Sequence, residues 1–371
     1  MTGRRGGGYD VIVAGGGPAG AAAALALARA GRSVLLADPG GGPPPVGEAL
    51  PAVARTLLRD LGAGHAVPGT GHLPCHTTLS AWGSPRLSAV DAVHDPHGHG
   101  WHLDRALFDH RLRRCAEAHG AETAPGDLVR PVRRHRDGTW TVALGGRSRR
   151  RTVRCRWLVD ATGRRAALAT AHGARRRTLD RLVALHLVLE GSPGPDTATL
   201  VESVPDGWWY TAPMPGARRL LVRYTDADLR GARADGPEAF RARLAAARHT
   251  AARTAAHAFP ARAFPRRAPA HTTHLDTVHG DGWIAAGDAA AAFDPLSSQG
   301  ILTALYTGMR AGEAVHAHLA GDPAAMTRYT SAVDAVRTAY LRNRHTFYRY
   351  EQRWPDQPFW HRRHTRPTVL R

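Results

Sequence analysis

Three glycines, Gly15, Gly17 and Gly20, stand in the spacing Gly-x-Gly-x-x-Gly, with Pro18 and Ala19 before the last. The first permits a tight turn. The second brings bare backbone N–H groups up to a diphosphate, and the third lets the following helix press on its strand. Asp38, eighteen residues beyond Gly20, offers a carboxylate to ribose hydroxyls and disfavours the 2′-phosphate of NADP. The chemistry on offer is dinucleotide binding. A second carboxylate, Asp288 of Gly287-Asp288, suits the hydroxyls of a sugar-like chain. Just downstream, Phe293-Asp-Pro-Leu-Ser-Ser-Gln-Gly-Ile301 places a turn at Pro295 ahead of a helix that begins with small residues. The backbone of Ser297, Ser298, Gln299, Gly300 and Ile301 presents N–H groups and a positive helix end to a developing negative charge.

These groups need elements to hold them. Asp10–Ala14 reads as a buried strand running straight into Gly15, and Ala21–Ala30 reads as an alanine-rich helix stopped by Gly31. Ser33–Ala37 is the next strand, which completes a βαβ unit of about 30 residues. Helices are expected over Pro51–Leu61, Asp104–His119, Pro237–His257 and Gln299–Leu319, and from Ala324 to about Tyr350. Leu128–Arg134 and Thr139–Leu144 read as a hairpin turning at Asp137-Gly138. Arg156–Asp160 and Gly282–Ala286 read as buried strands leading to Ala161-Thr-Gly163 and to Gly287-Asp288. Between them, Leu182–Leu189, Thr199–Val204, Trp208–Ala212 and Arg219–Tyr224 alternate with Gly/Pro turns, the pattern of an antiparallel sheet.

Strand, glycine turn, second-strand acid, Gly163 and Asp288 together resemble FAD enzymes of the glutathione-reductase-like type. That resemblance implies a flavin-contacting role for Arg105 in Trp101-His-Leu-Asp-Arg105. Over nearly the whole chain the sequence resembles flavoprotein monooxygenases of the aromatic-hydroxylase class and their flavin-dependent halogenase relatives. Gly47-Glu48-Ala-Leu-Pro51 is similar to a segment near the flavin, and Asp206-Gly-Trp-Trp-Tyr-Thr-Ala-Pro213 to a strand lining the substrate. Gln352-Arg-Trp-Pro-Asp-Gln-Pro-Phe-Trp360 resembles a C-terminal segment of LodB-like flavoproteins, which hydroxylate a tryptophan of a partner oxidase.

The implied fold is α/β: a Rossmann-type FAD-binding domain over 8–61, 100–172 and 270–322, with an inserted antiparallel-sheet substrate domain over 62–99 and 173–269. A helical, aromatic C-terminal segment follows over 323–371. The implied reaction is hydroxylation of an indole or phenol through a flavin C4a-hydroperoxide. It would use O2 and electrons from NAD(P)H or a separate flavin reductase. Trp209, Glu48 and Ser298 are the expected active-site residues. Tyr348, Tyr350, Trp354, Phe359 and Trp360 are expected either to dock a partner or to cover the FAD domain. Alternatives are tailoring of a small or carrier-bound substrate, halogenation, and flavin-dependent reduction.

Composition bears on those alternatives. The 371 residues carry 50 basic and 31 acidic side chains, a net charge of +19, and every basic residue is arginine. Schiff-base and P-loop lysine chemistry is excluded. Halogenases of the tryptophan type use a lysine between flavin and substrate, and a permanently charged guanidinium does not replace it. The strand motif of those halogenases, Trp-x-Trp-x-Ile-Pro, is also altered here to Trp208-Trp209-Tyr210-Thr-Ala-Pro213. Charge carried by arginine alone, with a single asparagine in the chain, fits coding bias better than nucleic-acid binding. His94, His97, His99 and His102 lack the companion acids or cysteines of a metal site, so none is expected. Cys75, Cys115 and Cys155 form no paired framework, and neither a signal peptide nor a membrane span is visible, so a cytoplasmic protein is expected.

Overall fold

The computed structural model describes residues 8–40, 49–66, 70–146, 150–191, 196–232, 236–260 and 264–365. The strand Tyr9–Ala14 lies inside an eight-stranded sheet, between Arg150–Asp160 and Val34–Asp38 and parallel to both. Glu122–Pro125 continues the sheet on one side and Trp283–Ala285 on the other, again in parallel. A strand covered on both faces must be apolar throughout, and Val11, Ile12 and Val13 are fully buried. The strand expected at Arg156–Asp160 is longer, Arg150–Asp160. Its first half pairs antiparallel with Trp140–Gly145, and its second half enters the parallel core. The hairpin Leu128–Arg134/Trp140–Gly145 thus grows from the same strand that ends at the Asp160 loop.

Helix Pro18–Arg29 crosses helix Gly300–Leu319 along a seam of small residues. A Cβ on Gly308 would lie 2.2 Å from the Ala19 carbonyl oxygen, and one on Gly312 would lie 2.8 Å from that of Ala23. Backbones approach this closely only where side chains are missing, and the seam fixes the Gly15–Gly20 turn relative to the helix that follows Asp294.

The second sheet has seven strands, in the order Arg266–Pro269, Leu182–Glu190, Arg218–Asp226, Gly207–Met214, Ala198–Val204, Thr77–Ala81, Ser88–Asp91. One pair departs from the expected antiparallel pattern: Thr77–Ala81 runs parallel to Ala198–Val204. It reaches the sheet from a distant segment rather than through a hairpin, so no turn imposes the opposite direction. Alternation divides the faces. Leu185, Leu187, Trp209 and Leu221 pack on Phe240 and Leu244. Ala184, Trp208, Leu220 and Tyr224 face the other way, toward Tyr348, Phe359 and Trp360.

The single helix expected over Pro237–His257 is two, Pro237–Ala245 and Arg248–Thr254. The buried Glu202 carboxylate accepts from the N–H groups of His249 and Thr250 at 3.2 and 2.7 Å, which starts the second helix. The tail also differs from both expectations. Tyr348, Phe359 and Trp360 are buried in the core of the second sheet, not spread over the FAD-type sheet or turned outward, whereas Tyr350 is exposed. The cause is the concave aromatic seat of Trp82 and Trp208, which receives Trp360 edge-on at 5.3 Å from Trp82.

Candidate active site

The sharp bend after Ala14 is built at Gly15, whose φ is +106° and whose Cβ would lie 2.2 Å from the Ala161 carbonyl oxygen. Gly20 is equally restricted, since a Cβ there would reach 1.8 Å from the Gly15 oxygen. Gly17 differs: a Cβ would meet nothing within 4 Å, and Pro18 opens the helix directly behind it. That empty side, backed by a helix N-terminus, fits a diphosphate. Asp38 closes the second strand beside the turn. Arg113 spans the two, donating to the Gly16 carbonyl oxygen at 2.8 Å with its guanidinium 3.8 Å from the Asp38 carboxylate.

Two further loops converge on this turn. Asp160, fully buried, accepts from the Thr162 N–H and hydroxyl through one oxygen, and from the N–H groups of Leu168 and Ala169 through the other. It thereby shapes the loop carrying Gly163. Gly287, at φ +61°, donates to the Thr307 hydroxyl at 2.9 Å, and its missing Cβ would lie 2.6 Å from that of Ala19. Asp288 is thus brought to the dinucleotide turn from about 270 residues away. Burial raises its pKa, and Arg164, 3.6 Å away, opposes that. Arg105 pairs with Asp109 at 3.2 Å. Burial raises the Asp109 carboxyl against the pull of that guanidinium.

The turn before helix Gly300–Leu319 is a short 3-10 segment, Pro295–Ser297, followed by Ser298 at φ +51°. Asp294 starts it by accepting from the Leu296 N–H at 3.0 Å, and the Ser298 N–H donates to the Pro295 carbonyl at 2.9 Å. A Cβ on Gly300 would meet open space.

A cavity of about 510 Å³ joins these parts, within the range usual for ligand sites. On one side it is lined by Gly17, Pro18, Ala19, Arg105, Gly163 and Asp288, with Pro295, Ser298, Gly300 and Ile301 beside them. On the other side stand residues of the second sheet, among them Ala184, His186, Tyr210, Leu220 and Tyr224. Gly15, Gly20, Asp38, Gly287, Ser297 and Gln299 are not among the lining residues.

Trp209 is misplaced by the sequence argument. Its side chain is fully buried on the opposite face of the sheet, edge-on to Phe240 at 5.1 Å, so it does not reach the cavity. Period-2 alternation gives the wall to its neighbour Tyr210. Glu48 lies outside the described residues. Sequence reasoning missed Arg164, which donates to the His271 and Phe293 carbonyl oxygens while facing Asp288. Its position directly after Gly163 was the available signal. It also missed Tyr224 and His186, which carry no local motif. Of the four clustered histidines, His102 is fully buried with Nε2 3.1 Å from the Thr197 carbonyl oxygen, and His99 packs on Trp101. Among the described residues no three His, Cys, Asp or Glu side chains converge as a metal site.

A dinucleotide turn, a distant Gly-Asp and a helix N-terminus around one cavity define an FAD-dependent oxidoreductase. The model of the tryptophan halogenase family matches residues 70–369, and the glucose inhibited division protein A model matches residues 10–90. The chain belongs to the tryptophan halogenase family of flavoproteins. It is 30% identical over 297 residues to the putative FAD-dependent oxidoreductase LodB of Marinomonas mediterranea, covering 78% of each chain. It is 26% identical to the 1H-pyrrole-2-carbonyl-[peptidyl-carrier protein] brominase of Pseudoalteromonas luteoviolacea, over 75% of this chain and 69% of that one. Among solved structures it resembles the peptidyl tryptophan dihydroxylase QhpG, with TM-score 0.81 and 26% identity over 98% of this chain and 80% of that one. It also resembles the myxobacterial halogenase CndH, with TM-score 0.86 and 22% identity over 97% and 87%. FAD is therefore the cofactor; flavin-dependent enzymes of this family use O2 and a reduced flavin supplied by a reductase. No helix among the described residues is long and apolar enough to cross a membrane.

Proposed function

We propose that this enzyme is a cytoplasmic FAD monooxygenase that hydroxylates an electron-rich ring, and that its substrate is a tryptophan side chain of a partner protein. The carrying observation is the division of the cavity. One wall holds the dinucleotide turn, Asp288 and the Pro295–Ile301 segment. The other holds Tyr210, Tyr224, Leu220 and Ala184, aromatic and aliphatic surface of the kind that seats an aromatic ring, with His186, Arg266 and Arg267 beside it. Reduced FAD with O2 supplies the oxygen atom. The chain's own residues do the rest. Gly17 and the helix behind it hold the diphosphate, and Asp288 accepts from the flavin's hydroxylated chain. N–H groups of Gly300 and Ile301 favour the negative charge of the reduced ring. Tyr210 and Tyr224 orient the substrate and keep water away.

The LodB and QhpG likenesses support a peptidyl tryptophan, and the absence of lysine argues against halogenation. A carrier-bound aromatic is the second reading, favoured by the brominase relative. Incubation of tryptophan-containing partner proteins and carrier-bound aromatics with NAD(P)H, a flavin reductase and 18O2 tests both. The expected result is a peptide gain of one or two labelled oxygens at tryptophan. Halide incorporation, or reduction without oxygen uptake, overturns the proposal.

A further inference from the structure

The segment proposed to meet the flavin is anchored by the C-terminal helix Ala325–Tyr350 through one buried carboxylate. Asp294, 1% exposed, uses Oδ1 to accept from the Leu296 N–H and so starts the Pro295–Ser297 turn. Its Oδ2 accepts from the Tyr348 hydroxyl at 2.7 Å and from Arg344 Nε at 3.4 Å. Its backbone N–H donates to the Tyr340 hydroxyl at 2.8 Å, and the preceding Phe293 stacks on the Tyr340 ring at 4.1 Å. Tyr348 also accepts from Trp208 Nε1 at 3.1 Å. A continuous path therefore runs from a strand of the second sheet, through Trp208, Tyr348 and Asp294, to the Leu296 N–H.

We propose that Tyr348 is a positioning residue for the flavin: its hydroxyl and Arg344 hold the Asp294 carboxylate, while the Tyr340 hydroxyl holds the Asp294 backbone N–H, so that the Pro295–Ile301 backbone keeps its place against the cofactor. This rests on the reading that Pro295–Ile301 meets the flavin. It gives the aromatic tail an inward task. Arg363, with its guanidinium 5.0 Å from the Tyr348 ring and bonded to Asp226 at 2.8 Å, and Trp360, 6.0 Å from that ring, pack against Tyr348. Burial raises the Asp294 pKa and Arg344 opposes it. A hydroxyl donor beside Arg344 keeps the buried carboxylate oxygen hydrogen-bonded.

The test compares Tyr348→Phe with Phe240→Leu, a core change on the other face of the second sheet. In each variant the FAD dissociation constant, the visible spectrum of the bound oxidised flavin and its midpoint potential are measured alongside the melting temperature. Both variants are expected to melt earlier. Tyr348→Phe alone is expected to weaken FAD by about three- to tenfold and to shift the flavin spectrum and potential. Asp294→Asn is expected to do the same, with little added in the double variant, because both act on one turn. A Tyr348→Phe protein that melts earlier with flavin properties of the parent overturns the proposal. Gly300→Val separates the two failures. If it shifts the flavin while Tyr348→Phe does not, only the positioning role falls. If neither shifts it, the placement of the segment against the flavin falls as well.

Discussion

Replacing Gly308 by alanine probes the seam that aligns the dinucleotide turn with the helix after Asp294. The added Cβ would stand 2.2 Å from the Ala19 oxygen and 2.9 Å from the Ala19 Cα and carbonyl carbon, where real Cβ contacts stay above about 3.0 Å. The obstacle is backbone, so no side chain can swing aside. The helices must separate locally by about 0.8 Å, or the Ala19 peptide must turn. Overpacking of this kind costs about 1–3 kcal/mol, a factor of roughly five to 150 in the folding equilibrium. Ala19 lines the cavity and also touches the Gly287 turn. The displacement therefore falls on the cofactor site, and FAD affinity should drop by about tenfold or more. Gly312→Ala is the internal comparison. Its Cβ would lie 2.8 Å from the Ala23 oxygen, needs only about 0.2 Å of retreat, and acts one turn further from the cradle. It should cost about 1 kcal/mol and leave FAD binding near the parent value. Denaturant unfolding of the FAD-free protein and fluorescence titration of FAD measure both quantities. Unchanged stability in Gly308→Ala, or equal loss of FAD affinity in the two variants, would refute the argument.

Three other outcomes are expected. Gly17→Ala fits the free protein, because its φ is −73° and its Cβ meets open space; FAD-free stability should stay within about 0.5 kcal/mol while FAD affinity, read by titration, falls about tenfold or more. Trp209→Ala should cost about 3–5 kcal/mol of unfolding free energy in chemical denaturation, whereas Tyr210→Ala should mainly raise KM or lower kcat for the aromatic substrate, reversing the order expected from the sequence. Burial pushes the His102 imidazole down to about 4 from 6.5, so between those values the unfolded chain binds a proton that the folded protein does not. Stability is then full above about pH 6.5 and is lost as pH falls toward 4, by up to about 3 kcal/mol, and His102→Gln should flatten that part of the pH–stability curve.

What was legible in the sequence was local. The Gly15–Gly20 turn, its strand and its helix follow from contiguous residues, because the positive φ at Gly15 and the close backbone approach at Gly20 leave no alternative to glycine there. Asp288 and the Pro295–Ile301 segment were legible for the same reason: a strand, a turn and a helix start adjoin in the chain. Trp209 failed because a run of Trp208, Trp209 and Tyr210 shows that faces alternate but not which face meets the cavity. That is settled by Phe240 and Leu244, from a helix further along, which claim the Trp209 side. Tyr224 and His186 reach the cavity only through sheet register, which no short motif encodes, whereas Arg164 stands directly after Gly163 and was passed over. The tail was misjudged because its aromatic residues look like a surface until Trp82 and Trp208, far earlier in the chain, are placed beneath them.

The absence of lysine acquires a structural meaning in this cavity. Its cationic lining residues, Arg105, Arg164, Arg266 and Arg267, are all guanidinium groups. Arg105 is tied to Asp109 and Arg164 faces Asp288, so these two already serve carboxylates of the fold. A guanidinium stays protonated through any pH the enzyme meets and cannot act as a neutral amine that captures an oxidised halogen and delivers it. Under the proposed reading, halogenation would call for such a group between the flavin side and the aromatic wall, and the lysine-free sequence offers no amine there. Hydroxylation requires less of the protein: a ring held flat, a dry slot and N–H groups on the flavin side. The wall of Tyr210, Tyr224, Leu220 and Ala184 facing Ser298, Gly300 and Ile301 meets that smaller demand with residues that need never change their protonation.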